Sequence, residues 1–115
     1  MKRQSAVAIL AALAQDNRLD VFRLLVEAGR EGMPAGHIAK SLRLAPNALT
    51  FHLDRLRDAG LVTARREGRS IIYVAAFEAM NSLISYLTDH CCQGRPELCR
   101  PTTRAPRFRK AERVR

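Results

Sequence analysis

The three cysteines of the chain lie close together near its C-terminal end. Cys91 and Cys92 are adjacent, Cys99 follows seven residues later, and His90 immediately precedes the pair. Adjacent cysteines do not bond to each other without strain, because a disulfide needs a specific dihedral angle and Cα separation. Two adjacent thiolates, and a third that a short loop can bring back to them, suit one soft ion instead. The spacing therefore predicts a thiol site for a soft metal or metalloid.

The number of thiols indicates which ion such a site would hold. Three thiolates match a three-coordinate element, so that trivalent arsenic or antimony would form a neutral trithiolate. Zinc prefers four ligands, which His90 and the three cysteines would supply, although ligation by both His90 and its neighbour Cys91 is geometrically awkward. A redox pair between Cys99 and Cys91 or Cys92, or surface thiols without a function, are further interpretations.

A second group of residues has side chains that suit base edges and phosphates. The stretch from Pro46 to Gly60 predicts a helix with a buried stripe of leucines at 49, 53 and 56. On a helical wheel the residues pointing away from that stripe are Asn47, Thr50, Phe51, Asp54, Arg55 and Asp58. His52 lies beside the stripe and is expected to be partly buried, with its hydrogen bonds satisfied. The outward face is either a DNA-reading surface or an ordinary solvated one.

The side chains on this outward face match particular groups on DNA. Asn47 suits adenine, Thr50 suits several base edges or a phosphate, and Phe51 suits a thymine methyl group. Arg55 is better placed for a phosphate. In a helix that enters the major groove, the residues nearest its N-terminus usually reach the bases. Asn47, Thr50, Phe51 and Arg55, together with Pro46 at the first helical position, are therefore candidate DNA-binding residues.

Two elements must position this helix. A short preceding helix is predicted from Ala35, Ile38, Ala39 and Leu42, which share one face, and a three-residue turn at 43–45 joins the two helices. Two helices across a tight turn are typical of a helix-turn-helix. After the second helix, residues 61–74 predict two strands joined at 67–69. Arginines at 65, 66 and 69 make this hairpin a candidate wing that contacts DNA: Arg65, Arg66 and Arg69.

The remaining apolar patterns predict three more helices. The first helix covers Ala6–Ala14. The second begins with Asp16 as its cap, and its buried stripe is Leu19, Phe22, Leu25 and Val26. The last helix runs from Phe77 to Cys92, and its apolar stripe is Phe77, Met80, Ile84 and Leu87. The first and last helices are more apolar than one small domain needs. We therefore predict a mainly α winged helix-turn-helix with a β wing, forming a homodimer through Ile9, Leu13, Met80, Ile84 and Leu87. The alternative is that both helices pack on their own domain.

Composition limits the remaining possibilities. The net charge is +9, of which residues 100–115 contribute +6 from seven basic residues and one acid. This segment has no helical or strand period, so we predict a domain at 1–99 and a disordered basic tail at 100–115.

No apolar run approaches a membrane span, and no leader pattern is visible, so a cytoplasmic location is expected. No nucleophile and base pattern is visible, and the Cys-x5-Arg loop common in arsenate reductases is absent, so we expect no enzymatic activity.

Several of these segments resemble the ArsR/SmtB family of metal-sensing repressors. They are residues 14–22, 42–53, 57–62 and the hairpin tip 66–69, and the resemblance covers roughly Ser5 to Cys99. It implies a homodimer through the first and last helices that binds double-stranded operator DNA without inducer and releases it when inducer binds. Pro46, Asn47, Thr50 and Phe51 fall on the segment with which this family reads DNA.

The resemblance also indicates which inducer to expect. The family's arsenic motif on the first helix of the helix-turn-helix is absent, because Pro34 and Gly36 stand at its cysteine positions, and the zinc site on the last helix lacks its Asp and His set. Cys91, Cys92 and Cys99 are instead similar to a subgroup of arsenic repressors with thiols at the end of the last helix. The resemblance thus implies release by As(III), or by Sb(III) or a methylated arsenical, and no organic cofactor.

Overall fold

The computed structural model describes residues 1–95, except the side chain of Cys92. In chain order the helices are α1 (Arg3–Leu13), α2 (Asp16–Ala28), α3 (Ala35–Leu42), α4 (Pro46–Asp58) and α5 (Phe77–Thr88), the strands are β1 (Met33–Pro34), β2 (Val62–Glu67) and β3 (Ser70–Ala75), and 3-10 turns lie at Gly29–Glu31 and Cys91–Gly94. The strands form one antiparallel sheet in the order β1-β3-β2. The predicted mainly α winged helix-turn-helix is confirmed.

Local hydrogen bonds set the limits of the helix-turn-helix. At the end of α3, Arg43 adopts a left-handed conformation with φ 57°, and the Leu44 N–H donates to the Ala39 carbonyl at 2.9 Å. Helix α4 begins with Pro46 at its first position and ends where the Leu61 N–H donates to the Leu56 carbonyl at 2.9 Å. Gly60, at φ 81°, permits that closing turn. The helix, turn and helix predicted from the apolar pattern are confirmed.

The core lies where α2, α4 and the base of the hairpin meet. Its most deeply buried side chains are Val21, Leu25, Ile38, Leu49, Leu53, Leu56 and Leu61. In α2 the prediction was partly wrong, since Leu19 is 43% exposed whereas Val21 is fully buried. Helix α2 contacts α1, α3, α4 and β3, and together they bury the face centred on Val21 and Leu25. The N-cap of α2 is Gln15 rather than Asp16, because the Gln15 Oε1 accepts from the Arg18 N–H at 2.9 Å.

The hairpin forms as predicted, with a third strand that was not predicted. Strands β2 and β3 pair from Val62 with Ala75 to Glu67 with Ser70, leaving Gly68 and Arg69 as the tip. Strand β1 pairs with β3 on its other side, at residues 33 and 34. Two residues are too few to show an alternating pattern, so the sequence did not reveal this strand.

Helix α5 ends earlier than predicted, at Thr88 instead of Cys92. The Thr88 hydroxyl donates to the Ile84 carbonyl at 2.8 Å, and His90 adopts φ 60°, which the α-helix does not allow. Cys91 begins the short 3-10 turn that follows. Cys91 therefore comes after the helix and not within it.

Three of the five residues predicted at the dimer interface are buried or partly buried within their own chain. Ile9 is only 3% exposed, because it packs into the core of its own chain beside Ala6, and this part of the prediction is wrong. Leu13 and Met80 are partly buried against the same core. Ile84 and Leu87 are 52% and 58% exposed, as are Val7 and Leu10 of α1 at 60% and 43%. These last four residues are exposed apolar side chains on α1 and α5 that a partner could cover.

Two predictions extend beyond the described residues. Cys99 and the basic tail at 100–115 lie outside them. Among residues 1–95, no helix is long and apolar enough to cross a bilayer.

Candidate nucleic-acid interface

The structure brings the predicted DNA-reading residues together on one exposed face of α4. Pro46, Asn47, Thr50, Phe51 and Arg55 are all exposed, and their leucine neighbours at 49, 53 and 56 are buried. Phe51 is 50% exposed, an unusual position for a large apolar ring. The Arg55 Cζ lies 5.0 Å from the centre of that ring, close enough for a cation–π contact. The outward face of α4 that the helical wheel predicts is therefore confirmed.

The two polar side chains near the start of α4 are engaged only in local hydrogen bonds. The Asn47 Oδ1 accepts from the Ala48 N–H at 3.0 Å, and the Thr50 hydroxyl donates to the Pro46 carbonyl at 3.0 Å. Both bonds are solvent-exposed, so exchanging them for contacts to a base or phosphate costs little. The first two turns of α4 thus present exchangeable polar groups beside an apolar ring.

Acidic residues on the same helix restrict where DNA can approach. Asp54 and Asp58 are exposed in the second half of α4. With Arg57 they line a cavity of about 560 Å³ whose other wall is formed by residues 62–64 at the start of β2. Carboxylates repel phosphates, so the N-terminal half of α4 is the end that suits a groove.

The wing arginines fall into two kinds. Arg66 and Arg69 are exposed at and near the tip of the hairpin. Arg65 instead bends back onto the protein, where its guanidinium donates to the Glu67 Oε2 at 2.8 Å and to the carbonyls of Arg30 and Glu31 at 3.2 and 3.1 Å. The predicted phosphate contact of Arg65 would require these bonds to break.

The sequence interpretation missed the partners of Arg65. Glu67 was detectable, because residues two apart on a strand point to the same face, and opposite charges there attract each other. The turn at Gly29–Glu31 was not detectable, because it lies more than thirty residues away in the chain and offers only backbone carbonyls.

His52 is buried in α4, but it is not satisfied as predicted. Its side chain is 8% exposed, and its Nδ1 has no hydrogen-bond partner among the described residues. Burial lowers the pKa of His52 below its usual value of 6.5, and the positive charge of Arg18 lowers it further. Folding therefore favours the neutral imidazole.

This pKa shift predicts a loss of stability in mild acid. The unfolded chain takes up a proton at His52 near pH 6.5, whereas the folded chain resists it, so the contribution to stability is complete above that pH and decreases below it. We expect urea unfolding to show a smaller decrease in free energy between pH 7.5 and 5.5 for His52→Leu than for the wild type. His37→Leu, which replaces an exposed histidine of α3, is the matched control. Equal decreases in His52→Leu and the wild type would contradict this assignment.

The predicted thiol site is only partly within the described chain. Cys91 is half-buried in the turn after α5, and Cys99 and the side chain of Cys92 lie outside the described residues. Among the described side chains, no three His, Cys, Asp or Glu residues are grouped to hold a metal ion. Binding by Cys91, Cys92 and Cys99 remains a prediction from the sequence.

The chain is similar to known transcriptional regulators in sequence. Residues 13–65 match a family model described as a helix-turn-helix domain. The chain is 33% identical to the HTH-type transcriptional regulator YgaV of Escherichia coli, over 77% of this chain and 88% of that protein. It is 31% identical to the transcriptional activator HlyU of Vibrio cholerae, over 76% and 79%. A shorter match, 33% identical over 57% of this chain and 50% of the relative, is to a putative arsenical resistance operon repressor of Halobacterium salinarum.

Solved structures show the same relationship. An ArsR-like transcriptional regulator from Rhodococcus matches with a TM-score of 0.69 and 26% identity, over 84% of this chain and 88% of that one. A winged helix-turn-helix domain from Mycobacterium bovis, described as homodimeric and DNA-binding, matches with a TM-score of 0.61 and 28% identity, over 76% and 81%. These proteins are regulators rather than enzymes. Together with the exposed reading face of α4 and the wing, they show that the chain belongs to the ArsR/SmtB family of winged helix-turn-helix transcriptional regulators.

Proposed function

We propose that this regulator is a homodimeric repressor that binds operator DNA and is released by arsenite. The observation that carries the DNA-binding part is the exposure of Asn47, Thr50 and Phe51 on the first two turns of α4. These turns enter the major groove, and Arg55 together with Arg66 and Arg69 of the wing contacts the phosphates beside it. Phosphate contacts set the register, and Asn47 with Phe51 favours A·T pairs over G·C pairs.

A dimer is supported by the four exposed apolar side chains on α1 and α5. Val7 and Leu10 on α1, and Ile84 and Leu87 on α5, belong to helices that contact each other within one chain. Exposed aliphatic residues clustered on neighbouring elements mark a surface that associates with another one. Pairing two copies through a two-fold axis would present two α4 helices to a palindromic site.

Response to arsenite is supported by the chemistry of the three thiols. As(OH)3 exchanges its hydroxides for the sulfurs of Cys91, Cys92 and Cys99, with release of three waters, and the product is a neutral trithiolate. Cys91 lies three residues beyond Thr88, the last residue of α5, and this proximity to the proposed dimer helix supports a coupling between thiol binding and dimer geometry. The Halobacterium relative is described as a putative arsenical resistance operon repressor, and the Vibrio relative HlyU is described as an activator.

The experiment is a titration of operator binding by fluorescence anisotropy, with fully reduced protein. We expect arsenite to release the DNA at about one equivalent per monomer, and zinc chloride to have no effect. Release by zinc alone would favour a Cys3His site, and release by peroxide without a metalloid would favour a redox sensor. Tight DNA binding that is indifferent to all three would contradict arsenite sensing and leave the DNA-binding function standing.

Cys99→Ser is expected to bind DNA like the wild type and to need at least about tenfold more arsenite for release, because only two thiols remain. A methylated arsenical needs only two thiols, so it should still release this variant. The matched comparison is therefore arsenite against methylarsonous acid on the same protein. If arsenite releases Cys99→Ser as readily as the wild type, the three-thiol site is wrong.

A further inference from the structure

We propose that Arg65 is a positioning residue of the wing and not a phosphate contact. Its guanidinium ties strand β2 to the turn at Gly29–Glu31, here called the anchor turn, and thereby sets where the tip residue Arg69 meets DNA. This inference rests on the proposed DNA binding. It assigns a different role to an arginine that the sequence grouped with the other two.

The first support is the geometry of the guanidinium. The Arg65 Nη1 donates to the Arg30 carbonyl at 3.2 Å, Nη2 donates to the Glu31 carbonyl at 3.1 Å, and Nε donates to the Glu67 carboxylate at 2.8 Å. The planar arrangement of the Arg N–H groups matches acceptors on several sides at once. Two of the three acceptors are backbone carbonyls of the anchor turn, and together the three bonds orient the guanidinium toward that turn.

The second support is the local charge. Glu67 neutralises Arg65 at 2.8 Å, with side-chain exposures of 55% and 44%. An exposed ion pair of this kind contributes little stability by itself, and as a pair it exerts no net attraction on phosphates. The net positive charge of the wing therefore comes from Arg66 and Arg69.

The third support is that the anchor turn is itself held on two sides. The Arg30 Cζ lies 5.8 Å from the centre of the Phe77 ring, at the first residue of α5. Just after the turn, the Gly32 backbone packs so closely on β3 that a Cβ there would lie 2.3 Å from the Tyr73 carbonyl oxygen. The carbonyls that hold Arg65 thus belong to a fixed part of the domain.

The consequence for DNA binding follows from the length of the hairpin. The tip lies three to four residues beyond Arg65, which is about 10 Å along a strand. The twist of a two-stranded β-ribbon varies by more than about 15° between proteins. If the hairpin pivoted by that angle about Arg65, its tip would move by roughly 3 Å. This displacement exceeds the tolerance of a hydrogen bond to phosphate. Anchoring Arg65 therefore keeps the tip residue Arg69 in reach of the phosphate backbone.

The test compares R65K with the matched variant R69K, in which the exposed arginine of the tip is replaced. Lysine keeps the charge, but its compact ammonium lacks the planar fork with which the guanidinium reaches acceptors on opposite sides at once. Operator binding is measured by fluorescence anisotropy over a range of KCl concentrations. R69K replaces one phosphate contact with a less well matched cation and is expected to lose about two- to threefold in affinity, whereas R65K releases the anchor and is expected to bind roughly five- to tenfold more weakly. Equal, small effects of R65K and R69K would overturn the positioning role.

A second variant and a second measurement separate the possible roles. On the positioning role, the double variant R65Q/E67Q, which loses the anchor but keeps the net charge of the wing, binds as weakly as R65K. A phosphate contact by Arg65 would make R65Q/E67Q clearly weaker than R65K, because only the double variant loses the cation at position 65. In the free protein, hydrogen exchange of the β2 and β3 amides should be faster in R65K than in the wild type, with the α4 amides unchanged. Unchanged exchange in the hairpin would contradict the proposal. If the wild type does not bind DNA, the proposed function fails, and the exchange measurement still tests Arg65.

Discussion

Replacing Leu87 with glutamate is expected to convert the proposed dimer into monomers and to lower operator affinity by about 100-fold or more. Leu87 is 58% exposed in one chain and lies near Ile84, which is 52% exposed. A carboxylate there would be buried against apolar side chains of the partner, at a cost of several kcal/mol. The single chain loses little, because this side chain is not part of its core.

The loss of affinity has a geometric origin. Specific binding to a palindromic site depends on two recognition helices whose spacing the dimer fixes. A monomer retains one α4 and one wing, so that mainly the sequence-independent attraction to phosphates remains. Sedimentation velocity measures the oligomeric state, and fluorescence anisotropy measures the affinity.

Ser82→Glu is the matched control. Ser82 is also exposed on α5 but lies on the opposite side of the helix from Ile84 and Leu87. The Ser82→Glu variant adds the same charge as Leu87→Glu but outside the proposed interface. It should therefore remain dimeric and bind DNA nearly as well as the wild type. A dimeric Leu87→Glu with unchanged affinity would show that α5 does not form the interface.

Gly32→Ala is expected to destabilise the fold by roughly 2–6 kcal/mol, the sum of a backbone term and a contact term of about 1–3 kcal/mol each. Gly32 adopts φ 67° and ψ −164°, a conformation essentially restricted to glycine. The added Cβ would also lie 2.3 Å from the Tyr73 carbonyl oxygen and 2.8 Å from the Val74 Cγ2. Strand β3 would have to move away from β1, or the turn would have to change shape.

Gly29→Ala separates the two causes. Gly29 adopts nearly the same backbone conformation, φ 70° and ψ −157°, but no atom lies within 4 Å of a Cβ built on it. This variant should therefore show only the backbone term, about 1–3 kcal/mol. Urea unfolding of both variants gives the comparison. Equal losses in the two variants would show that the close packing of Gly32 on β3 contributes nothing to stability.

The elements whose signals are local could be predicted from the amino-acid sequence. The leucine spacing of α4, Pro46 at its start and Gly60 after its end act within a few residues of each other, so the helix-turn-helix and its outward face were predictable. The same holds for the hairpin, whose β-branched residues flank a tip containing Gly68. Its register follows from pairing between neighbours in the chain.

Only the tertiary structure decided which edge of each apolar face is buried. The patterns of α1 and α2 span wide arcs, and the packing of neighbouring helices places Ile9 inside while it leaves Leu19 exposed. Similarly, β1 exists because β3 offers an unpaired edge to residues 33 and 34, not because those two residues favour a strand. Periodicity gives the apolar side of a helix but not the position of its partners.

The wing arginines show the clearest difference between what the sequence predicts and what the tertiary structure shows. The sequence makes Arg65, Arg66 and Arg69 equivalent, since all three are cations at the end of a predicted hairpin. The fold separates Arg65 from the others because it places the carbonyls of Arg30 and Glu31, 35 and 34 residues away in the chain, within hydrogen-bond distance of one guanidinium. A bond between such distant residues depends on the packing of the whole domain, whereas the charge of a side chain is determined by its residue type alone.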